Sequence, residues 1–258
     1  MNADLRELLE GARHAARAAA PAILEIYHSP FEVRSKADAS PVTEADERAE
    51  AIIVAALAKL APEIPIVAEE MAARGEAMAA ERFWLVDPLD GTREFVAKNG
   101  EFTTNIGLIE GDRPVLGVVH LPIANVTYAG AGIGTATRQE QDAAPVAIAA
   151  RRIPETGAIV IHSRSHGNNA TLAQYLASLR EPQTRIAGSA AKFCFVAEGS
   201  ADLYPRFGPT MEWDTAAGQA VLEAAGGHVL GLDGAPLCYG KPGLKNDGFL
   251  AWGAKPAW

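Results

Sequence analysis

The segment Phe83-Trp84-Leu85-Val86-Asp87-Pro88-Leu89-Asp90-Gly91-Thr92 constrains this chain more than any other stretch. Phe83 to Val86 is an unbroken apolar run of strand length, so it predicts a buried strand that delivers Asp87 at its end. Pro88 has no N–H for a sheet ladder and biases Asp87 toward extended backbone, so the strand is expected to stop there. Leu89-Asp90-Gly91 must then turn sharply, with Gly91 able to take positive φ. Thr92 is a good N-cap for a short helix from Arg93 to Lys98. Two carboxylates therefore meet at a helix start whose free N–H groups favour an anion. At ~4 Å the two acids would repel by roughly 4 kcal/mol at an effective dielectric of ~20. Mg²⁺ removes that repulsion, and it prefers oxygen ligands shared with a substrate phosphate.

A plain strand-turn-helix corner would account for one such Asp, but it leaves Asp87 and Asp90 both unpaired at one turn. The haloacid-dehalogenase phosphatases also place Asp-Gly-Thr after a strand, with a nucleophilic Asp two positions before the second Asp. Here that position is Pro88, which carries no nucleophile, and Asp87 lies on a different side of the turn. The arrangement argues against a phospho-aspartate mechanism.

The rest of the chain narrows the setting. With 258 residues, 48% of them hydrophobic and 21% charged, it has the composition of a globular protein with a large core. The net charge of −9, without a Lys/Arg cluster, argues against a nucleic-acid partner. No uncharged apolar run approaches the ~18 residues of a membrane span. The acidic, amphipathic start Met1 to Glu7 does not read as a signal peptide. Cys194 and Cys238 cannot form a disulfide framework, so a cytoplasmic setting is expected.

Periodicity predicts helices over Leu5 to Tyr27 and Glu44 to Leu60, and a short strand from Ile64 to Ala68 that ends on Glu69 and Glu70. A β-meander follows over Thr104 to Ile109, Val115 to His120 and Asn125 to Tyr128, and then an Ala/Gln/Glu-rich stretch at Ala136 to Ala144. Strands at Ala158 to Ile161, Ala201 to Tyr204, His228 to Leu230 and Phe249 to Trp252 alternate with helices at Ala170 to Leu179, Ser189 to Ala197 and Thr215 to Ala225. The pattern predicts two packed α/β halves, residues 1–150 and 151–258.

Other acids fit the same corner, though each has a plain reading by itself. Paired Glu69 and Glu70 are often solvated, Asp214 can cap the helix after it, and Asp46 closes a variant capping box with Thr43. Together the motifs are more specific. Pro41 to Asp46, Val67 to Glu70, Phe83 to Ile109 and Gly188 to Gly227, a little under a third of the chain, resemble the lithium-sensitive, Mg²⁺-dependent phosphatase superfamily. That superfamily includes inositol monophosphatase, fructose-1,6-bisphosphatase and the bisphosphate nucleotidases. The resemblance implies an αβαβα sandwich of two sub-domains and two or more Mg²⁺ ions. It implies that Glu69, Asp87 and the Leu89 carbonyl hold one ion, and Asp87, Asp90 and Asp214 the other. Thr92 with Asp46 would orient and deprotonate the attacking water, while Gly91 and Thr92 N–H groups hold phosphate. Ala68 departs from the Gly or Ser that many members carry before the paired acids, a position that needs little space.

Phe95 to Ile106, Ser163 to His166, Gly188 to Cys194 and Leu203 to Pro209 resemble the bacterial 3′(2′),5′-bisphosphate nucleotidases of the CysQ type. That implies Ser189, Lys192 and Arg206 on the second phosphate and His166 near the nucleoside, with Glu69, Leu89, Asp90, Gly91, Thr92 and Asp214 also touching substrate. A guanidinium suits phosphate better than a polyol, because its fork matches paired oxygens. The plain readings are a solvated helix residue for Lys192 and a surface ion pair for Arg206. The expected reaction is hydrolysis of adenosine 3′,5′-bisphosphate, with its sulfated form as a second candidate substrate, by a lithium-inhibited monomer or homodimer. Two alternatives stay open: an inositol-1-phosphate phosphatase, and a regulatory or binding protein that keeps the fold.

Overall fold

The computed structural model describes residues 3–35, 41–75, 80–164 and 169–254. The chain opens with α1 (Ala3–Tyr27), the two-residue strands β1 (Arg34–Ser35) and β2 (Pro41–Val42), and α2 (Glu44–Leu60). Then come β3 (Ile66–Ala68), α3 (Glu69–Ala73), β4 (Arg82–Asp90), α4 (Thr92–Val96), β5 (Thr103–Glu110), β6 (Arg113–Leu121), β7 (Val126–Gly130), β8 (Thr137–Glu140) and β9 (Val146–Ala147). The remainder is β10 (Ile159–His162), α5 (Asn169–Ser178), β11 (Gln183–Ile186), α6 (Ala191–Ala197), β12 (Leu203–Arg206) and β13 (Thr210–Met211). It closes with α7 (Ala216–Ala224), β14 (His228–Gly231), β15 (Lys245–Asn246) and β16 (Phe249–Trp252).

Among the described residues, β3 to β9 form a seven-stranded sheet in chain order, and a five-stranded sheet runs β11-β10-β12-β16-β14. The Ala-rich face of α1 and the Ile53–Leu57 face of α2 bury against Trp84, Val86, Ile106, Leu116 and Val118 on one side of the larger sheet. On its other side Phe83, Leu85 and Val119 share a core with Phe193 of α6, Val221 and Leu222 of α7, and Phe249 of the smaller sheet. Leu176 and Leu179 pack against Val160 and Leu203 on the outer face. The layers are therefore α1/α2, sheet, α6/α7, sheet, α5: the αβαβα order that the resemblance implied. Helix α7 lies on the larger sheet only because glycine faces it. A Cβ on Gly117 would stand 2.2 Å from the Ala217 carbonyl oxygen, and one on Gly107 3.0 Å from the Ala216 Cβ.

Two local expectations are corrected. Strand β4 does not end at Asp87: pairing with β5 breaks there and resumes at Asp90 opposite Thr103. The missing proline N–H is absorbed in that irregularity, and the strand continues beyond it. Helix α4 starts one residue early, because Gly91 itself takes the cap position in the left-handed conformation, φ 94°. Thr92 is thus the first helical residue, and its hydroxyl is directed elsewhere. The Ala/Gln/Glu-rich stretch Ala136 to Ala144 carries β8, paired antiparallel to β7.

Candidate active site

Helix α2 is the starting point. Its N-cap, Thr43, receives the Ala45 N–H at 3.2 Å, and Asp46 Oδ2 receives the Thr43 N–H at 2.8 Å, so the capping box is formed. The same carboxylate has a second use. Asp46 is 1% exposed, and its Oδ1 accepts the Thr92 hydroxyl at 3.1 Å. The capping box and the contact with Thr92 therefore coexist, one on each oxygen.

At the start of α4, positive φ at Gly91 turns the chain so that the Thr92 side chain meets both Asp46 and the Leu89 carbonyl, the latter at 3.3 Å. Asp87 folds back over this turn, and its Oδ1 accepts the Leu89 N–H at 3.0 Å. Asp90 is fixed from three sides: Oδ2 accepts from the Ala190 N–H at 2.5 Å, Asn105 Nδ2 at 3.1 Å and Thr103 Oγ1 at 3.5 Å. Asp214, just ahead of α7, accepts from the Thr210 hydroxyl and from the Met211 N–H at 3.0 Å. Its expected capping role falls instead to Thr215, which makes no side-chain cap bond.

Glu69, Asp87, Leu89, Asp90, Gly91, Thr92, Ser189, Lys192, Arg206 and Asp214 all line one cavity of about 190 Å³. Asp46 stands behind Thr92, and His166 lies outside the described residues. Burial, and then the charge of Asp214, push the Asp90 carboxyl up to about 6, against the opposing Lys192, Asn105 and Ala190 N–H. Two acids held that way in one cavity favour a cation between them.

The basic side is built differently at its two members. Lys192 is 2% exposed, and its Nζ donates to the carbonyls of Ser189 at 2.5 Å and Ala187 at 3.3 Å. It also lies 5.0 Å from the Tyr204 ring centroid. It therefore braces the Ala187–Ser189 loop while lending charge to the cavity. Arg206 donates one Nη to the Pro209 carbonyl at 2.9 Å, and its buried Nε has no hydrogen-bond partner of good geometry among the described residues. Burial works against its charge, but Tyr204, Asp214 and Asp90 more than offset that and hold the guanidinium above its ordinary value. Ser189 has φ 52°, an uncommon conformation that turns the loop into the cavity. Glu101 Oε2 fastens that loop to the first half of the chain by accepting the Gly188 N–H at 3.0 Å.

The carboxylates of Glu69, Asp87, Asp90 and Asp214 and the Leu89 carbonyl put hard oxygen donors along the acidic wall, which suits Mg²⁺. Among the described residues no three acids, imidazoles or thiols are drawn together closely enough to hold an ion by themselves. Mg²⁺ does not require such a cage, because it keeps waters and is completed by one or two carboxylates and substrate phosphate. The residues present therefore fit the ion.

Motif reading did not single out Asn105, Thr103, Thr210 or the Ala190 N–H, which anchor Asp90 and Asp214. Nor did it single out Glu50. For Glu50 a signal was available, since it sits four residues after Asp46 on a predicted helix.

The inositol monophosphatase family profile matches residues 4–253. The 3′(2′),5′-bisphosphate nucleotidase CysQ of Shigella flexneri is 48% identical over 239 residues, 91% of this chain and 95% of that protein. The protein of that name from Escherichia coli K12 is similar to the same extent. The crystal structure of CysQ from Bacteroides thetaiotaomicron, described as a bacterial member of the inositol monophosphatase family, superposes with a TM-score of 0.81 at 35% identity, covering 96% of this chain and 97% of that one. With a corner of acids, a threonine tied to a buried aspartate and this likeness along nearly its whole length, the chain belongs to the inositol monophosphatase family.

Proposed function

We propose that this protein is a Mg²⁺-dependent phosphomonoesterase that removes the 3′-phosphate of adenosine 3′,5′-bisphosphate to give AMP. The observation that carries the reading is the division of one cavity into an acidic wall, with Thr92 at its edge, and a basic wall holding Arg206. A substrate with two phosphates needs both walls. The relatives named 3′(2′),5′-bisphosphate nucleotidase support the same choice.

Glu69, Asp87, the Leu89 carbonyl, Asp90 and Asp214 would hold the ions. Magnesium held there would supply a water of lowered pKa and would neutralise charge on the leaving oxygen. The Thr92 hydroxyl donates its hydrogen bond to Asp46, which leaves an oxygen lone pair to accept from a water and aim it at phosphorus. Asp46 works through Thr92, as an orienting acceptor. Gly91 and Thr92 offer N–H groups at the start of α4 to the scissile phosphate. Arg206, Ser189 and the charge of Lys192 receive the other phosphate, with the guanidinium as its charged donor. Lithium is expected to inhibit. Cys194 and Cys238 are both free, which suits a reducing cytoplasm, and no helix among the described residues is long and apolar enough to cross a membrane.

The test is phosphate release with Mg²⁺ from adenosine 3′,5′-bisphosphate, inositol 1-phosphate and fructose 1,6-bisphosphate side by side. The highest kcat/KM is expected on the nucleotide. A preference for inositol 1-phosphate would overturn the nucleotidase reading, and no release from any of the three would favour a binding protein that keeps the fold.

A further inference from the structure

Helix α2 reaches the site twice. Asp46 meets Thr92 at the start of α4, and one turn later Glu50, on the same face, meets the start of α3. Glu50 Oε2 accepts the Glu70 N–H at 2.8 Å. Helix α3 lacks any acceptor of its own there. It begins at Glu69, and Ala68 ahead of it has no side-chain oxygen for the N–H groups that open a helix. Glu50 is 4% exposed, an uncommon place for an acid, and its Oε1 receives Arg74 Nη2 at 3.3 Å. Burial raises its pKa despite those partners, so keeping a carboxylate there costs stability. An apolar side chain on this buried face of α2 would pack without that cost, which points to a use for the oxygen.

We propose that Glu50 is a positioning residue for Glu69: it caps α3 from a neighbouring helix and so holds the Glu69 carboxylate at the cavity wall. Through Asp46 and Glu50, one helix sets the spacing between the Thr92 corner and the Glu69 corner of the site. This inference rests on the phosphatase reading, in which Glu69 is a metal ligand.

The experiment compares Glu50→Gln, which keeps a carbonyl acceptor of similar shape, with Glu50→Ala, which keeps none. Mg²⁺ binding is measured by calorimetry without substrate, and hydrogen exchange is followed at the Glu70 amide. The Ala variant is expected to need ~10-fold or more Mg²⁺ for half-saturation, to exchange the Glu70 amide faster, and to keep its nucleotide KM within about 3-fold at saturating Mg²⁺. The Gln variant should stay within about 3-fold of the parent in all three. If the Ala variant does not fold, Glu50→Asp, one methylene short, takes its place. A lowered Tm with Mg²⁺ half-saturation and Glu70 exchange unmoved would overturn the proposal, as would equal losses in the Gln and Ala variants. A parent protein that neither binds Mg²⁺ nor releases phosphate would overturn the phosphatase reading and this inference together, a result distinct from failure of the Glu50 variants alone.

Discussion

Thr92 and Asp46 are far apart in the chain, yet their side-chain oxygens lie 3.1 Å apart, and the aspartate that receives the hydroxyl also closes the capping box of its own helix. Asp46 is buried and held by Thr43, so it offers the Thr92 hydroxyl a fixed charged acceptor at 3.1 Å, against the neutral Leu89 carbonyl at 3.3 Å. Thr92→Val keeps the shape and removes the hydroxyl. Steady-state kinetics should show kcat reduced by about 100-fold or more, with KM changed only a few-fold. Thr92→Ser should retain most activity. A valine enzyme with parental kcat would take the hydroxyl out of the chemistry.

Asp90→Asn removes a charge that burial and Asp214 already disfavour. The metal-free variant should therefore melt no lower than the parent. Phosphate release should fall beyond the ~10–100-fold expected for a residue that only supports a ligand. Thermal denaturation and turnover measured on one preparation check both halves, and retained turnover would remove Asp90 from the site.

Arg206 lines the cavity opposite its acidic wall, with its guanidinium held charged by Tyr204, Asp214 and Asp90. Loss of a charged hydrogen bond costs about 1.5–3 kcal/mol, or roughly 10–150-fold. Arg206→Ala should raise KM by that order for adenosine 3′,5′-bisphosphate, and much less for a monophosphate substrate. Equal changes on both substrates would show that Arg206 serves the structure only.

His120 on β6 is 1% exposed and bonded to Thr127 Oγ1 at 2.9 Å, with no hydrogen-bond partner for Nε2 among the described residues. Burial first, and then the charge of Arg17, lower its pKa from 6.5 to about 4. Between those values the unfolded chain binds a proton that the folded chain refuses, so its contribution is full above pH 6.5 and is lost as pH falls toward 4. The loss is roughly 3 kcal/mol. Denaturant unfolding across this range should show a steeper fall for the parent than for His120→Gln, and parallel curves would discount His120.

The long elements were legible because they carry strong periodicity. Helix α2 runs over the residues that the pattern predicts, and α1 begins two residues earlier than expected. What escaped was short and polar at the sheet margins: β8 is half-buried along most of its length and β11 is exposed throughout, so no apolar alternation marks them. Pro88 misled for a different reason. A proline forbids one ladder bond, whereas the neighbouring strand here skips the position and resumes pairing. At the site, residue types announced the acids and Thr92, but burial of Lys192 could not be read from a cation beside small residues. Its partners are backbone carbonyls, which leave no trace in side-chain pattern.

Helix α7 touches β5, β6 and β7 on one side and β14 on the other, and Asp214 stands just ahead of its first turn. It acts as a rivet through both plates of the sandwich, with Gly117 as the countersunk hole. Shear between the plates would drag Asp214 away from Asp90. Heat inactivation should therefore coincide with cooperative melting of the whole molecule, without an earlier step in which the catalytic centre alone comes apart.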